Sequence, residues 1–260
     1  MSTAARQLDT AELEDRVKRM YEEVALEPEH EFHFETGRPL AERLGYPTQD
    51  LDRIPAAAID SFAGVGYFHD LAAIAEGEAV LDLGSGSGTD SFIAALATGT
   101  EGRVLGLDMT DAQLAKARTL ADEQGFTQIE FRAGYIEEPI VDTPTFDCVI
   151  SNGVINLSPD KSAVFAAAAK VLRTGGRLAL ADIVSEQQLP EGVTCDASLW
   201  AACIGGAMQR DDYRTAIESA GFTIETWREN EEYRFVSDRA DNATAKYGVT
   251  SISLLATKRP

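Results

Sequence analysis

The chain has 260 residues, 44% of them hydrophobic, which is enough for one sizeable domain with appended elements or at most two small domains. Its formal net charge of −20 and its scattered Lys and Arg residues exclude a nucleic-acid partner, because such a surface repels phosphates. No apolar run approaches the roughly 20 residues that cross a bilayer and no signal-peptide core is visible, so we expect a cytoplasmic protein without a membrane partner.

The first predicted element is a helix from about Ala11 to Leu26, with Asp9 available as its N-cap. Its apolar face is formed by Leu13, Val17, Met20 and Val24. The aromatic-rich stretch that follows, up to about Ala75, predicts short helices and turns. We expect residues 1–75 to form a helical lid or substrate wall and residues 76–260 to form the main domain.

The most informative run is AVLDLGSGSGTDSFIAA, from Ala79 to Ala95, where an apolar strand passes through three alternate glycines into a helix. Gly84 lets the chain turn sharply, while Gly86 and Gly88 lack the Cβ that would keep a ligand from the backbone and from the helix amides. Such a loop can hold phosphates or an amino-acid carboxylate. The predicted cofactor contacts of this run are Asp82, Gly84, Ser85, Gly86 and Gly88.

The spacing of these glycines helps to identify the ligand. The dinucleotide fingerprint G-x-G-x-x-G needs a third glycine where this chain has Thr89. The second predicted strand ends at Asp108, which can accept hydrogen bonds from ribose hydroxyls and would repel a 2′-phosphate. Together these features favour S-adenosylmethionine (SAM). An ordinary tight turn and an NAD-dependent oxidoreductase site are the alternatives.

Strands and helices alternate through the central part of the chain. Helices are predicted at Asp111–Gln124, capped by Asp111 and stopped by Gly125, and at Lys161–Leu172. The alternation predicts an α/β fold with a parallel sheet and helices on both faces. The predicted strands are Val80–Leu83, Val104–Leu107, Ile129–Arg132, Cys148–Ile150 and Leu178–Ile183.

The pattern changes after Ile183. Helical patterns around Trp200–Met208 and from about Asp211 to Ala220 predict a helical insertion at about residues 186–221. Two final strands are predicted near Phe222–Arg228 and Ser251–Thr257. A final antiparallel pair on a parallel sheet is typical of class I SAM-dependent methyltransferases.

Four segments resemble that superfamily: LDLGSGSG (81–88), LGLDM (105–109), FDCVISNGVINL (146–157) and VLRTGGRLALAD (171–182). A closer resemblance, carried by LGYPTQDLDRIPAAAIDSFAGVGYF, SNGVINLSPDK and LWAACIGGAM, is to the arsenite methyltransferase group. It implies a Rossmann-like sheet with an N-terminal helical lid, and SAM as cofactor. It also implies that Asp108 and Met109 meet the ribose and adenine, with Tyr135 and Ile136 on the other side of the adenine ring.

The arsenic-binding cysteines of that group are mostly absent here. Val65 stands in place of one and Gly153 in place of another, so only Cys203 matches. One thiolate cannot chelate arsenic(III) as three do. The predicted substrate contacts are therefore Tyr67, Phe68, Asn156 and Cys203, a set that suits an organic small molecule. Cys148, Cys195 and Cys203 have no C-x-x-C spacing and the histidines form no ligand set, so no metal site is predicted.

Methyl transfer from a sulfonium needs mainly alignment and desolvation of the acceptor. A hydroxyl acceptor also needs a proton acceptor, for which His33, Glu35 and Tyr67 are candidates. Asn152, at the end of the fourth strand, is assigned to both the catalytic and the cofactor set, although an Asn there can also serve a turn. The predicted function is SAM-dependent methylation of a small molecule. The alternatives are an arsenite methyltransferase with a reduced thiol set, a non-catalytic SAM-binding protein and an NAD-dependent oxidoreductase.

Overall fold

The computed structural model describes residues 9–138, 140–141, 143–194, 200, 204–236 and 244–260. Helices precede the first strand, as expected from the aromatic-rich N-terminal part. Asp9 caps the first of them, because its Oδ1 accepts the amides of Ala11 and Glu12, each at 3.1 Å. The helices are α1 (Thr10–Leu26), α2 (Gly37–Arg43), α3 (Thr48–Leu51), α4 (Ala56–Asp60) and α5 (His69–Ala72).

The sheet has the strand order β3-β2-β1-β4-β5-β8-β7, and the short β6 pairs with β5. All pairings up to β5 are parallel, whereas β8 runs antiparallel to both β5 and β7. This confirms the predicted mostly parallel sheet with an antiparallel C-terminal strand. The strands are β1 (Ala79–Leu83), β2 (Arg103–Asp108), β3 (Ile129–Ala133), β4 (Phe146–Asn152), β5 (Leu172–Ser185), β6 (Met208–Gln209), β7 (Phe222–Glu229) and β8 (Val249–Lys258).

Consecutive residues of the strands point to opposite faces, and both faces are covered. On one face, Leu81 and its neighbours pack with Phe165 and Tyr213; on the other, Val80 packs in one cluster with Phe68 and Ala94. Helices therefore lie on both sides of the sheet, as predicted. Those that follow β1 are α6 (Thr89–Thr98), α7 (Asp111–Gln124), α8 (Lys161–Val171), α9 (Glu191–Thr194) and α10 (Arg210–Ser219).

Two local predictions differ from the structure. The N-cap of α7 is Thr110, and Asp111 lies inside the first turn, where its charge favours the helix N-terminus. Gly125 does end α7, with φ +72°. The helix predicted around Trp200–Met208 does not reach Met208. Residues 204–207 form a turn, and Met208 is the first residue of β6. Cys195 and Cys203 lie outside the described residues.

Side-chain hydrogen bonds from α7 hold helix α1 in place. Gln113 donates its side-chain amide to the Tyr21 carbonyl at 2.8 Å, and Lys116 donates to the Ala25 carbonyl at 3.0 Å. The helix thereby passes over the carboxyl ends of β1 and β2, where open α/β folds bind ligands. In the part of the chain that the structure describes, no helix is long and apolar enough to span a membrane.

Candidate active site

A cavity of about 560 Å³ opens at the carboxyl ends of β1, β2 and β4, beneath α1. Leu13, Val17 and Tyr21 of α1 form part of its wall. Its volume is within the range of pockets that hold a whole small-molecule cofactor. Of the residues predicted to bind the cofactor, those in the cavity wall are Asp82, Gly84, Ser85, Gly86, Asp108, Met109, Tyr135, Ile136 and Asn152.

The glycine loop turns back onto the neighbouring strand. Gly84 and Gly86 have φ values of +72° and +53°, which side chains rarely adopt. The amides of Gly84 and Ser85 both donate to the Leu107 carbonyl, at 2.8 and 2.9 Å. A Cβ on Gly86 would meet nothing nearer than Gln113 Oε1 at 3.7 Å, so its missing side chain leaves open space in the cavity.

Gly88 has a different role from the one predicted. It has φ +97° and caps α6, but it does not belong to the cavity wall. A Cβ there would lie 2.8 Å from Phe131 and 2.9 Å from Phe92, both buried. The third glycine therefore permits close packing of helix and strand, which is a structural requirement rather than a ligand contact.

Asp108 connects the second strand to the glycine loop. Its Oδ2 accepts the Gly86 amide at 2.9 Å and its Oδ1 accepts the Thr110 amide at 2.8 Å. Burial raises the pKa of this carboxyl, and the backbone amides act in the opposite direction. The carboxylate lies in the cavity wall, so ribose hydroxyls could also bind it.

A second carboxyl group, Asp90, lies in the cavity wall beside Asp82 and was not predicted from the sequence. Both are nearly fully buried. Burial raises the pKa of Asp82 well above its usual range, and the charge of Asp90 raises it further. Asp82 Oδ2 also accepts the Ser91 hydroxyl at 2.6 Å. The only sequence signal for Asp90 was its place in the first turn of the helix after the glycine loop.

Three donors surround Asp90. Tyr46 donates its hydroxyl to Oδ1 at 2.5 Å, His69 Nε2 lies 2.8 Å from the same oxygen, and Asn152 Nδ2 donates to Oδ2 at 3.1 Å. Burial, together with the charge of Asp90, raises the pKa of Tyr46 well above its usual range, so its phenol stays protonated. We call Tyr46, His69, Asp90 and Asn152 the Asp90 cluster.

Asn152 binds the N-terminal part to the sheet. Its Oδ1 accepts the Val65 amide at 2.8 Å, and its Nδ2 also lies 3.1 Å from the Gly66 carbonyl and 2.9 Å from the Tyr46 hydroxyl. The side chain is thus largely occupied by protein partners. It fixes the segment before α5 at the cavity edge, while its catalytic role stays a prediction.

The predicted adenine contacts lie at the mouth of the cavity. Tyr135 is 41% exposed, and its hydroxyl donates to Glu14 at 2.6 Å and accepts from Lys18 at 3.0 Å. The Lys18 ammonium also lies 5.1 Å from the centre of the Tyr135 ring. Ile136 is buried beside it. A face of Tyr135 is therefore held at the mouth by α1.

Besides Gly88, the predicted residues His33, Phe68, Asn156 and Tyr67 lie outside the cavity wall. His33 is exposed and contacts the Phe34 ring edge-on, with 4.9 Å between centroids. Phe68 is fully buried in the core and stacks on His69, and Asn156 is fully buried with its amide bound to Asp182 at 2.7 Å. The structure therefore gives Phe68 and Asn156 packing roles in place of the predicted substrate contacts.

Tyr67 is the fourth of these residues. Its ring meets Tyr46 edge-on at 5.0 Å, and burial raises the pKa of its hydroxyl. The raised pKa keeps the phenol protonated, and the protonated form cannot take up a substrate proton, so Tyr67 is not favoured as a base. The remaining candidate base, Glu35, forms an ion pair with Arg43.

Val65 and Gly153, the two positions where the resemblance implies cysteines that this chain lacks, are neighbours in this structure. Val65 is 1% exposed, and a Cβ on Gly153 would lie 3.1 Å from Val65 Cγ1. Gly153 has φ +70° and lines the cavity. Cys148 is fully buried away from the cavity wall, and burial raises the pKa of its thiol to about 12. The described residues thus place no reactive thiol in the cavity.

Comparisons with known proteins agree with this geometry. A family model described as a methyltransferase domain matches residues 74–221. An arsenite methyltransferase of Halobacterium salinarum is 39% identical over 219 residues, covering 84% of this chain and 56% of the relative. An arsenite methyltransferase of Aquipseudomonas alcaligenes is 41% identical over 159 residues, which cover 58% of this chain and 46% of that relative. This chain therefore spans about half the length of these relatives.

A solved structure of an arsenic(III) S-adenosylmethionine methyltransferase from Chlamydomonas reinhardtii superposes with a TM-score of 0.63 at 28% identity. The match covers 87% of this chain and 75% of that one. The likeness extends beyond the matched domain into the N-terminal part, which here supplies α1 and the Asp90 cluster.

Proposed function

This chain belongs to the methyltransferase-domain family of class I SAM-dependent enzymes, and we propose that it transfers the methyl group of SAM to an organic small molecule. The single observation that carries the proposal is the cavity in which the glycine loop, Asp108 and α1 meet. We further propose that it works in the cytoplasm and without a nucleic-acid partner; the net charge of −20 supports the second part, because it repels a phosphate backbone.

The residues of the cavity fit SAM. Gly86 leaves open space beside the loop. The Ser85 hydroxyl is buried without a hydrogen-bond partner in the protein, so it is available to a bound ligand. Asp108 presents a carboxylate that can accept ribose hydroxyls, and Met109, Tyr135 and Ile136 offer apolar surface to the adenine. When bound, SAM would supply an electrophilic methyl group on a sulfonium.

The protein's part in the reaction is to orient the reactants and exclude water. Leu13 and Val17 present apolar side chains from α1, and Tyr135 fastens that helix at the cavity mouth. Alignment in a dry cavity can supply several orders of magnitude of rate without a strong base. The described residues offer no well-placed histidine base, which agrees with such a mechanism.

The apolar and acidic wall supports an organic acceptor. Val65 and Gly153 present no thiol, and Phe62, Val154 and Leu157 add apolar side chains to the cavity wall. None of the described lining residues is Lys, Arg or His, whereas Glu14, Asp90, Asp108, Glu137 and Glu138 bring carboxyl groups to the wall in addition to Asp82, whose pKa is raised. Such a wall repels an anionic acceptor, so we propose a neutral molecule or an amine.

Arsenite methylation is the second candidate function, favoured by the 39% identity to the Halobacterium arsenite methyltransferase and by the matching cysteine, Cys203. Arsenic(III) is bound best by several converging thiolates. This candidate therefore depends on Cys203 and on further thiolates supplied by a small-molecule thiol bound to the arsenic.

Methyl-labelled SAM tests both candidates. The protein is incubated with it and with separate panels of neutral phenols, amines, carboxylates and arsenite, and S-adenosylhomocysteine and labelled product are measured. We expect turnover on a neutral or amine acceptor, with Asp108→Asn as the matched inactive control. Arsenite turnover lost in Cys203→Ser would establish the second candidate instead. Absence of SAM binding at millimolar concentration would refute the proposal, and binding without any turnover would support a non-catalytic role.

A further inference from the structure

Lys161, the first residue of α8, is buried behind the wall of the cavity. It is 5% exposed, and a lysine is almost never buried to this extent unless it is paired. Its described contacts are not carboxylates. The ammonium donates to the Ser158 carbonyl at 2.9 Å and lies 4.9 Å from the centre of the Trp200 ring. The position of this charge therefore needs an explanation beyond ordinary ion pairing.

The two contacts of the ammonium belong to different parts of the fold. Ser158 lies in the cavity wall together with Leu157 and Pro159. Trp200 belongs to the helical insertion, is 6% exposed, and donates its indole Nε1 to the Thr194 carbonyl of α9 at 2.6 Å. One buried ammonium thus joins the cavity wall to the insertion.

The wall is also held by neutral and acidic groups. Asn156 donates its backbone and side-chain amides to Asp182 Oδ1, at 3.2 and 2.7 Å. The turn at residues 204–207 packs directly on this backbone, because a Cβ on Gly206 would overlap the Asn156 carbonyl oxygen. These contacts do not need the ammonium. The contact with Trp200 does, since cation–π attraction requires a positive charge.

The surroundings of Lys161 make this charge easy to remove. Burial lowers its pKa to about 8, although the charges of Asp182, Glu137 and Asp160 act in the opposite direction. These carboxyl groups come from β5, from the segment after β3 and from the N-cap of α8. The Tyr213 phenol of α10, which donates to Asp182 at 2.6 Å, has a pKa raised well above its usual range and stays protonated. The ammonium therefore loses its proton at mildly alkaline pH, well below the value of about 10.4 for an exposed lysine.

We propose that Lys161 is a positioning residue whose ammonium holds the insertion against the cavity wall at residues 157–159, and that loss of its proton weakens this contact. A neutral amine can still donate to the Ser158 carbonyl, but its attraction to the Trp200 ring is lost. At a desolvated site that attraction corresponds to roughly 30-fold in the docking equilibrium. The contact involves no ligand, so it can be tested without methyl transfer.

The fluorescence of Trp200 reports this contact directly. The chain has two tryptophans, so Trp227→Phe leaves Trp200 as the single indole. In that protein we expect the emission to change between about pH 6.5 and 9.5, with a midpoint near pH 8. Acrylamide quenching of Trp200 should rise by at least about twofold across the same transition, because the insertion is held less firmly.

Matched variants in the Trp227→Phe background identify the titrating group. Lys161→Met should give the alkaline emission at every pH, whereas Lys161→Arg should keep the acid emission up to about pH 9.5, because a guanidinium stays charged. Lys170→Met, which changes an exposed lysine of the same helix, should leave the transition unaltered. Circular dichroism shows whether each variant is folded.

Three results would overturn the proposal: emission of Trp200 that does not respond to pH, a transition with the same midpoint in Lys161→Met, or quenching that stays constant across the transition. Should Lys161→Met fail to fold, Lys161→Arg decides, since a transition near pH 8 in that variant cannot come from residue 161.

Discussion

Replacement of Asp108 by alanine should abolish tight cofactor binding. Its two oxygens accept the Gly86 and Thr110 amides, at 2.9 and 2.8 Å, and the carboxylate lies in the cavity wall, where it can also accept ribose hydroxyls. A hydrogen bond to a charged group contributes about 1.5–3 kcal/mol. Two such bonds correspond to about 3–6 kcal/mol, or a dissociation constant raised roughly 10²- to 10⁴-fold.

The same substitution also removes the acceptor of the Gly86 amide, so the glycine loop loses its connection to β2. Calorimetric titration with S-adenosylhomocysteine measures the combined effect, and circular dichroism with thermal unfolding shows whether the variant is folded. Asp111→Ala is the matched control, because Asp111 is an acidic residue of the same region outside the cavity wall. A folded Asp108→Ala protein that binds within about threefold of the unaltered one would refute the assignment of the ribose site.

Three further predictions follow from the same geometry. Gly88→Ala should lower the free energy of unfolding in urea by about 1–3 kcal/mol, because its Cβ overlaps two buried phenylalanine rings; an unchanged midpoint would contradict the packing role. Asp82 has a raised pKa when folded, so the folded state keeps a proton that the unfolded state loses above about pH 4, and stability should fall as pH rises through that window. In Asp82→Asn, the thermal unfolding midpoint should fall less steeply with rising pH than in the unaltered protein. Val65→Cys combined with Gly153→Cys should bind phenylarsine oxide one to one with loss of two titratable thiols, whereas either single variant should not.

The residues predicted well are those whose signal is local. A strand that ends in alternating glycines, followed by another that ends in Asp108, marks one edge of a parallel sheet, and both features lie in the cavity wall. Gly88 belongs to the same pattern but packs against phenylalanines of α6 and β3. Sequence spacing places a glycine in the loop without saying which side of the loop its missing Cβ would occupy.

The Asp90 cluster could not be derived in this way, because its members come from distant parts of the chain. Tyr46 and His69 belong to the helical N-terminal part, Asp90 to α6 and Asn152 to β4. Each residue by itself has an ordinary explanation as a core aromatic, a surface acid or a turn former. Only the packing of the N-terminal part against the sheet brings them within hydrogen-bond distance.

The exchange at the two lost cysteine positions argues against a merely degenerate site. Gly153 has no side chain, and the Cβ that a cysteine would place there points at Val65 Cγ1, 3.1 Å away. The branched side chain of Val65 at one position thus faces the missing side chain of Gly153 at the other, and Val65 is 1% exposed. A site that had only lost its thiols would not be expected to keep this contact between Val65 and Gly153. It would also not be expected to keep the buried Asp90 cluster and the open space at Gly86. The pairing is what we expect when a cavity is rebuilt for an acceptor that needs no thiolates.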